Sequence, residues 1–328
     1  MVEVSTKYMG MELKNPLIVA SSGLTKSVEK IKKLAENGAA AIVLKSLFEE
    51  QVKMEVGEEL EQHIAPSWHT EAYDYVSRMG MEFGPAENLK LIEQAKKAVS
   101  IPIIASLNCV SPYWWKDYAR QIELAGADGI ELNIAYAVTD VRRESREVEQ
   151  LYFKILDKVR GAVNIPVAVK LGPYFTSFAN LAYELCRRGA SALVLFNRFY
   201  QFDIDPEAIK VKAGNPLSEP SEISLSLHWI AILAGRVSCD LSATTGVHST
   251  VDVIKQILAG ATTVQLCSVI YKKGTEHISQ LLRGIEDWMK KHGVSSLDEV
   301  RGKLSMKESE KPELYERLQY IKALVGIE

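Results

Sequence analysis

The sequence predicts an α/β chain folded as a (β/α)8 TIM barrel, with long loops after the second and sixth barrel strands and a C-terminal helical tail. Three observations predict it. First, a helix-like run ends in Gly-Ala and leads into a short apolar strand at four places, 38–45, 126–133, 189–196 and 260–267. Glycine at the end of a helix takes positive φ without a Cβ clash, so it stops the helix and turns the chain into the next strand. Second, three of the four strands between these follow Asn15-Pro16, Ile101-Pro102 and Ile165-Pro166, and the fourth starts near Val237. A proline at a strand's first residue removes no ladder hydrogen bond. The two signatures alternate, giving eight strands in four βαβα quarters. Third, the Gly-Ala strands end in polar groups: Lys45-Ser46, Asn133, Asn197 and Cys267-Ser268. A barrel of this kind carries its chemistry at the C-terminal ends of its strands.

The elements follow in order. The first strand covers 17–20, and Ser21-Ser22-Gly23 with Thr25 and Ser27 offers caps for a helix ending near Asn37. The second strand is 40–44. A segment from 46 to 84, with His63, Trp68, His69, Tyr73 and Tyr75, precedes the helix 85–99. Excursions this long after a barrel strand usually form lids or substrate walls. The third strand is 103–107, the next helix 115–125, and the fourth strand 129–133. A loop over 134–143 leads to a helix at 146–163, the fifth strand at 167–171 and a helix at 176–188. The sixth strand, 193–197, opens a second excursion, 198–224. A helix at 225–233, the seventh strand at 239–242, a helix at 249–258, the eighth strand at 263–266 and a helix at 276–292 close the ring. The tail from 294 to 328 reads as two helices capped by Ser296 and Ser309, with Leu314, Leu318, Ile321 and Leu324 as an apolar stripe.

With 328 residues, 47% of them hydrophobic, the chain can bury a large core. The net charge of −3 provides no basic field that would favour nucleic acid or an anionic membrane. The N-terminal stretch holds Glu3, Lys7 and Glu12 and no apolar run, and no apolar stretch reaches spanning length, so a cytoplasmic protein without a membrane segment is expected. The four cysteines, Cys109, Cys186, Cys239 and Cys267, lack metal-ligand spacing and read as free thiols; the six histidines are scattered, so no metal site is expected.

Lys45 and Lys170 both stand at strand ends among apolar neighbours. Burying an unpaired ammonium is costly, so two lysines at matching places point to an anionic partner above the barrel, where a single one could simply reach solvent. Asn133 and Asn197 offer a donor and an acceptor each, suited to the edge of a heterocycle, though an Asn can equally cap a loop. Thr245-Gly246 and Cys267-Ser268, after the seventh and eighth strands, match the usual phosphate position of this fold. Phosphate anchor, lysines, amides and lids together suit FMN, because reducing a flavin puts negative charge where an ammonium stabilises it.

Asn15-Pro16 with Ala20-Ser21, Leu44-Lys45-Ser46, Glu131-Leu132-Asn133, Val169-Lys170-Leu171 with Pro173, Asn197, Asp205-Pro206-Glu207 and the run from Gly260 to Ser268 resemble, in order, the FMN barrel of dihydroorotate dehydrogenases. The chain is also similar to the flavin domain of dihydropyrimidine dehydrogenase. The resemblance covers about 13–293, so 1–293 is expected to be the FMN-binding barrel and 294–328 an extension packed on it. It implies Ala20 and Ser21 against the flavin and Lys45 and Lys170 at its polar edge. It also implies Asn133 near flavin and substrate, Asn197 with Arg198 on the substrate side, and Thr245, Gly246, Cys267 and Ser268 around the phosphate.

The sequence departs from the family at several places. The loop after Glu-Leu-Asn normally reads Leu-Ser-Cys-Pro-Asn, with Cys or Ser as the base; here it reads Ile134-Ala135-Tyr136-Ala137-Val138. Tyr136 stands in the base position. The Asn-Ser or Asn-Thr after the sixth strand is Asn197-Arg198, and the Gly-Gly loops are reduced to Gly214-Asn215 and Thr245-Gly246. Tyrosine, with a pKa of about 10, is a better acid than base at neutral pH. Three readings stay open: a dihydroorotate dehydrogenase-type enzyme of pyrimidine metabolism acting on a CH–CH bond; a related ene reductase with Tyr136 as proton donor; and a non-flavin barrel binding a phosphorylated metabolite. A small-molecule substrate and either a soluble electron acceptor or a separate reductase are implied. Family members are often homodimers.

Overall fold

A computed structural model of the chain describes residues 2–49, 85–109, 115–134, 138–198 and 202–316. Most of the first excursion, Tyr136 and the end of the tail lie outside the described residues. The chain enters through a hairpin, β1 (Thr6–Tyr8) and β2 (Met11–Leu13), whose tight turn puts Met9 at φ 52° and Gly10 at φ 79°. Two left-handed residues give a turn whose twist matches that of the flanking strands.

The barrel follows as β3 (Leu17–Val19), α1 (Val28–Glu36), β4 (Ala41–Val43), a short β5 (Leu47–Phe48), α2 (Pro85–Ala98), β6 (Ile103–Cys109), α3 (Trp115–Leu124), β7 (Gly129–Ile134), α4 (Ser145–Arg160), β8 (Val167–Leu171), α5 (Phe178–Arg187) and β9 (Ala192–Leu195). A second hairpin, β10 (Phe202–Asp205) and β11 (Lys210–Ala213), projects from the second excursion. Then come α6 (Ile223–Leu233), β12 (Asp240–Thr244), α7 (Thr250–Ala259), β13 (Thr263–Leu266), α8 (Ser268–Lys273) and α9 (His277–His292). Strands β3, β4, β6, β7, β8, β9, β12 and β13 pair in parallel in that order, and β13 pairs back with β3. This is the closed eight-stranded ring that the alternating signatures predict. The short β5 continues along the edge of β6 that β4 occupies, opposite Leu107 and Asn108, and so extends the β4 position of the ring upward.

Strand alternation divides the apolar side chains into two cores. Leu17, Val19, Ile42, Leu132, Val169, Leu193 and Leu266 face outward into the layer between sheet and helices. Ile18, Val43, Ile104, Ala168, Ala192 and Val194 face inward, where Tyr8, Met9 and Leu13 of the N-terminal hairpin join them. The hairpin therefore plugs the bottom of the ring. The Met9 amide donates to Asp240 Oδ2 at 2.7 Å, and a Cβ on Gly129 would sit 3.1 Å from the Met9 Cε.

Polar groups at the bottom of the strands serve the fold. Asn15 accepts from the Leu17 amide and donates to the Gly38 carbonyl. Asp128 accepts from the Ile103 amide and from Lys96 at 2.7–2.8 Å. Residues 294–316 pack on the same end. Arg301 donates to the Ala261 and Thr262 carbonyls and to Thr6 Oγ1, and the Gly302, Leu304 and Met306 amides bond to Ile257, Leu258 and Ala231. Where two helices were expected, the described residues of the tail form two short 3-10 turns, Leu297–Glu299 and Pro312–Tyr315, the second capped at Lys311 and not Ser309. Ser296 caps the first, and Ser309 accepts from the Lys311 amide. Leu318, Ile321 and Leu324 lie outside the described residues.

The expectation of free thiols also needs correction. Cys186, near the end of α5, and Cys239, just before β12, are joined in a disulfide with Cα atoms 5.5 Å apart. Helix α5 leads into β9, and β9 pairs with β12, so the barrel brings together two cysteines 53 residues apart in sequence. Cys267 is free.

Candidate active site

The period-2 alternation that sends Ile18, Val43, Ala168 and Val194 inward continues to the strand ends. It brings Ala20, Lys45, Asn133, Lys170 and Cys267 to the upper, inward-facing rim of the ring. Register supports this placement: Asn133 lies opposite Lys170, and Ser106 opposite Glu131. Ala20 is buried, while Ser21, Lys45, Asn133, Asn197 and Arg198 are half-buried. Ser21 Oγ lies 3.0 Å from Ser46 Oγ and accepts from the Ser46 amide, and Ser46 Oγ lies 2.7 Å from Ser106 Oγ. The ends of the first three barrel strands are thus tied by three hydroxyls.

Asn197 Nδ2 donates to Asn133 Oδ1 at 3.0 Å, so the two predicted amides meet. Lys170 is 7% exposed, and its Nζ is 3.7 Å from Glu131 Oε1, beyond hydrogen-bond range. Glu131 Oε2 accepts from Gln265 Nε2 at 2.6 Å. Burial pushes the Cys267 thiol up, and the Lys170 ammonium acts on it in the opposite sense, so cation and thiol share one neighbourhood.

The ends of β12 and β13 also converge. Thr245 has φ 73° and donates its hydroxyl to the Phe196 carbonyl at 3.0 Å. Ser218, from the second excursion, links the two ends: its Oγ accepts from the Gly246 amide at 3.4 Å, and its own amide donates to Ser268 Oγ at 2.9 Å. Its hydroxyl also lies 3.2 Å from His248 Nε2, while Lys272 donates to the Ser218 carbonyl and to Glu219. Burial and then the Lys272 charge hold His248 below the usual imidazole range.

Arg198 is already engaged. Its Nε donates to Glu222 at 2.8 Å and its Nη1 to the Asn215 carbonyl at 2.6 Å, tying the second excursion to the end of β9. Beside it a cavity of about 260 Å³ is lined by Pro173, Tyr174, Phe196, Asn197, Ser224 and Thr245, among others. Sequence reasoning missed Ser218, His248 and Glu222 because they sit in irregular segments. It also missed Glu131 and Gln265, which share their strands' inward parity with Asn133 and Cys267; that parity was the available signal. Tyr136, the predicted proton-transfer residue, lies outside the described residues; Val138, just beyond it, is exposed. No helix among the described residues is long and apolar enough to cross a membrane.

A family model for dihydroorotate dehydrogenase matches residues 3–289. The chain is 26% identical over 312 residues to the catalytic subunit of dihydroorotate dehydrogenase B (NAD(+)) from Methanothermobacter thermautotrophicus, covering 91% of this chain and 97% of that protein. It is 28% identical over 309 residues to the protein of the same description from Methanocella arvoryzae, covering 92% and 97%. With the family model spanning nearly the whole barrel, the chain belongs to the dihydroorotate dehydrogenase family.

Proposed function

We propose that this chain is an FMN-dependent oxidoreductase that acts on the CH–CH bond of dihydroorotate or a closely related dihydropyrimidine. One observation carries the cofactor: a lysine, Lys170, buried at the rim of the ring with its carboxylate partner beyond hydrogen-bond distance. A buried cation so placed is suited to an anionic group above it. The surrounding residues fit FMN. Ala20 and Ser21 are small and leave a planar ring room to approach. Lys45 and Lys170 bring positive charge to the edge where a reduced flavin is negative. Thr245, Gly246, Cys267 and Ser268 flank the phosphate position, joined through Ser218. Held by these residues, FMN would supply the hydride acceptor for the substrate carbon.

Asn133 and Asn197 orient the substrate ring with their linked amides, and Arg198 braces the cavity wall beside them. In the oxidation direction the proton from the neighbouring carbon needs a base; Tyr136 stands where the family places that base and would take the proton as its phenolate, and Tyr136→Phe should abolish most turnover. The barrel 1–293 is then the flavin-binding unit and 294–328 its extension. The relatives are named as catalytic subunits of an NAD(+)-linked enzyme, which supports a separate reductase partner as the electron acceptor here. Anaerobic addition of dihydroorotate to the FMN-loaded protein tests the substrate: bleaching of the flavin band is expected. A band that stays unchanged with dihydroorotate but bleaches with another dihydropyrimidine would move the assignment to that substrate.

A further inference from the structure

Glu131 is a buried titratable group with no role in the function proposed above. It sits in the middle of β7, 1% exposed, on the inward side of the barrel. One oxygen is clamped by Gln265 at 2.6 Å. The other makes no hydrogen bond and faces the Lys170 ammonium at 3.7 Å. From below, the neutral Tyr8 phenol feels the same carboxylate's charge: burial, then Glu131, then Asp240 push the phenol's pKa well up. The interior layer therefore presents a carboxylate fixed on one side by an amide and aimed on the other at the lysine on the rim. A buried carboxylate and a buried ammonium each cost a great deal alone and much less together.

We propose that Glu131 is a positioning residue for the flavin site: its carboxylate, oriented by Gln265, holds the Lys170 ammonium in place at the rim. Lys170 would hold the cofactor; Glu131 acts through Lys170. Without Glu131 the buried ammonium loses its counter-charge and swings towards solvent, which removes positive charge from the place where a reduced flavin needs it. The inference rests on the FMN reading of the site.

The test is a double-mutant cycle in the full chain, with Lys170→Met, Glu131→Gln and the pair combined. The first readout is the two-electron midpoint potential of bound FMN. Lys170→Met should lower it in the wild-type background, and in the Glu131→Gln background the same substitution should have an effect at least about threefold smaller. A Lys170→Met shift of the same size in both backgrounds overturns the proposal. The second readout is the denaturation midpoint of the apoprotein. Each single variant should be less stable than wild type, and the double variant should be more stable than Glu131→Gln alone, because removing both charges strands neither. Strictly additive losses overturn the pairing. Should Glu131→Gln not fold, Gln265→Ala replaces it: it leaves the charge but removes its clamp, and the Lys170→Met potential shift should again shrink. Wild-type apoprotein that takes up no FMN would refute the cofactor reading alone, and the denaturation cycle would still decide the pair.

Discussion

Replacing Gly246 by alanine separates two demands that the loop after β12 places on one residue. Gly246 has φ 77°, and a methyl group there would stand 2.7 Å from the Glu222 carbonyl carbon and the Ile223 Cα, at the head of α6. The left-handed conformation alone costs an alanine about 1–2 kcal/mol. The collision is with backbone, which cannot rotate away, and overpacking of that kind adds roughly 1–3 kcal/mol. Gly246→Ala should therefore destabilise the chain by about 2–5 kcal/mol. Gly10 is the internal control: its φ is 79°, but nothing lies within 4 Å of the added methyl. Gly10→Ala should cost about 1–2 kcal/mol, from the backbone alone. Urea unfolding of the two variants measures the difference directly, and FMN uptake should fall in Gly246→Ala and not in Gly10→Ala. If Gly246→Ala were as mild as Gly10→Ala, the loop after β12 and the head of α6 would not be in the close contact described.

Other expectations concern the same rim. Arg198→Met should release the second excursion from Glu222 and Asn215, so limited proteolysis within residues 202–222 should accelerate; an unchanged cleavage rate would show that Arg198 does not hold it. His248 is held below its ordinary value, so as pH falls through about 6.5 the unfolded chain takes up a proton before the folded one does. The stability contributed by neutral His248 is thus complete above that pH and is lost as pH drops towards the lowered folded value. Unfolding free energies at about pH 7.5 and pH 5.5 should show this slope, and His248→Gln should flatten it; equal slopes in both proteins would contradict it. Cys267, its thiol raised by burial, should react with iodoacetamide far more slowly in the folded than in the unfolded protein, as read by peptide mapping; equal rates would contradict its placement.

Much of the barrel is legible in the sequence because its strands are short apolar runs bounded by Pro and Gly. Strands β8 and β13 fall on the expected residues, and the other barrel strands differ only at their ends. The N-terminal hairpin was missed although Thr6, Lys7 and Tyr8 alternate buried and exposed and Met9-Gly10 supplies the turn; three residues give too short a period to stand out. The hairpin β10–β11 hid in the second excursion, where Asp203 and Lys212 pair across the strands. At the site, Lys45, Lys170 and Asn133 were legible because strand parity and their unusual types coincide, and Asn197 because of its type and its place just after β9. Which group each side chain meets was not. The Cys186–Cys239 disulfide, the Ser218 link and the clamp of Gln265 on Glu131 all depend on contacts between residues 53, 50 and 134 positions apart in sequence, and no local pattern encodes them.

The measurement that bears most directly on the whole account is the release and identification of the bound cofactor. Protein reconstituted with excess FMN, stripped of free flavin and then denatured should release FMN equimolar with chain, and the Lys45→Met/Lys170→Met double variant should release little. A wild-type chain that retains no flavin, or a double variant that holds FMN as tightly as wild type, would contradict the claim that the rim lysines of this barrel are placed for a flavin.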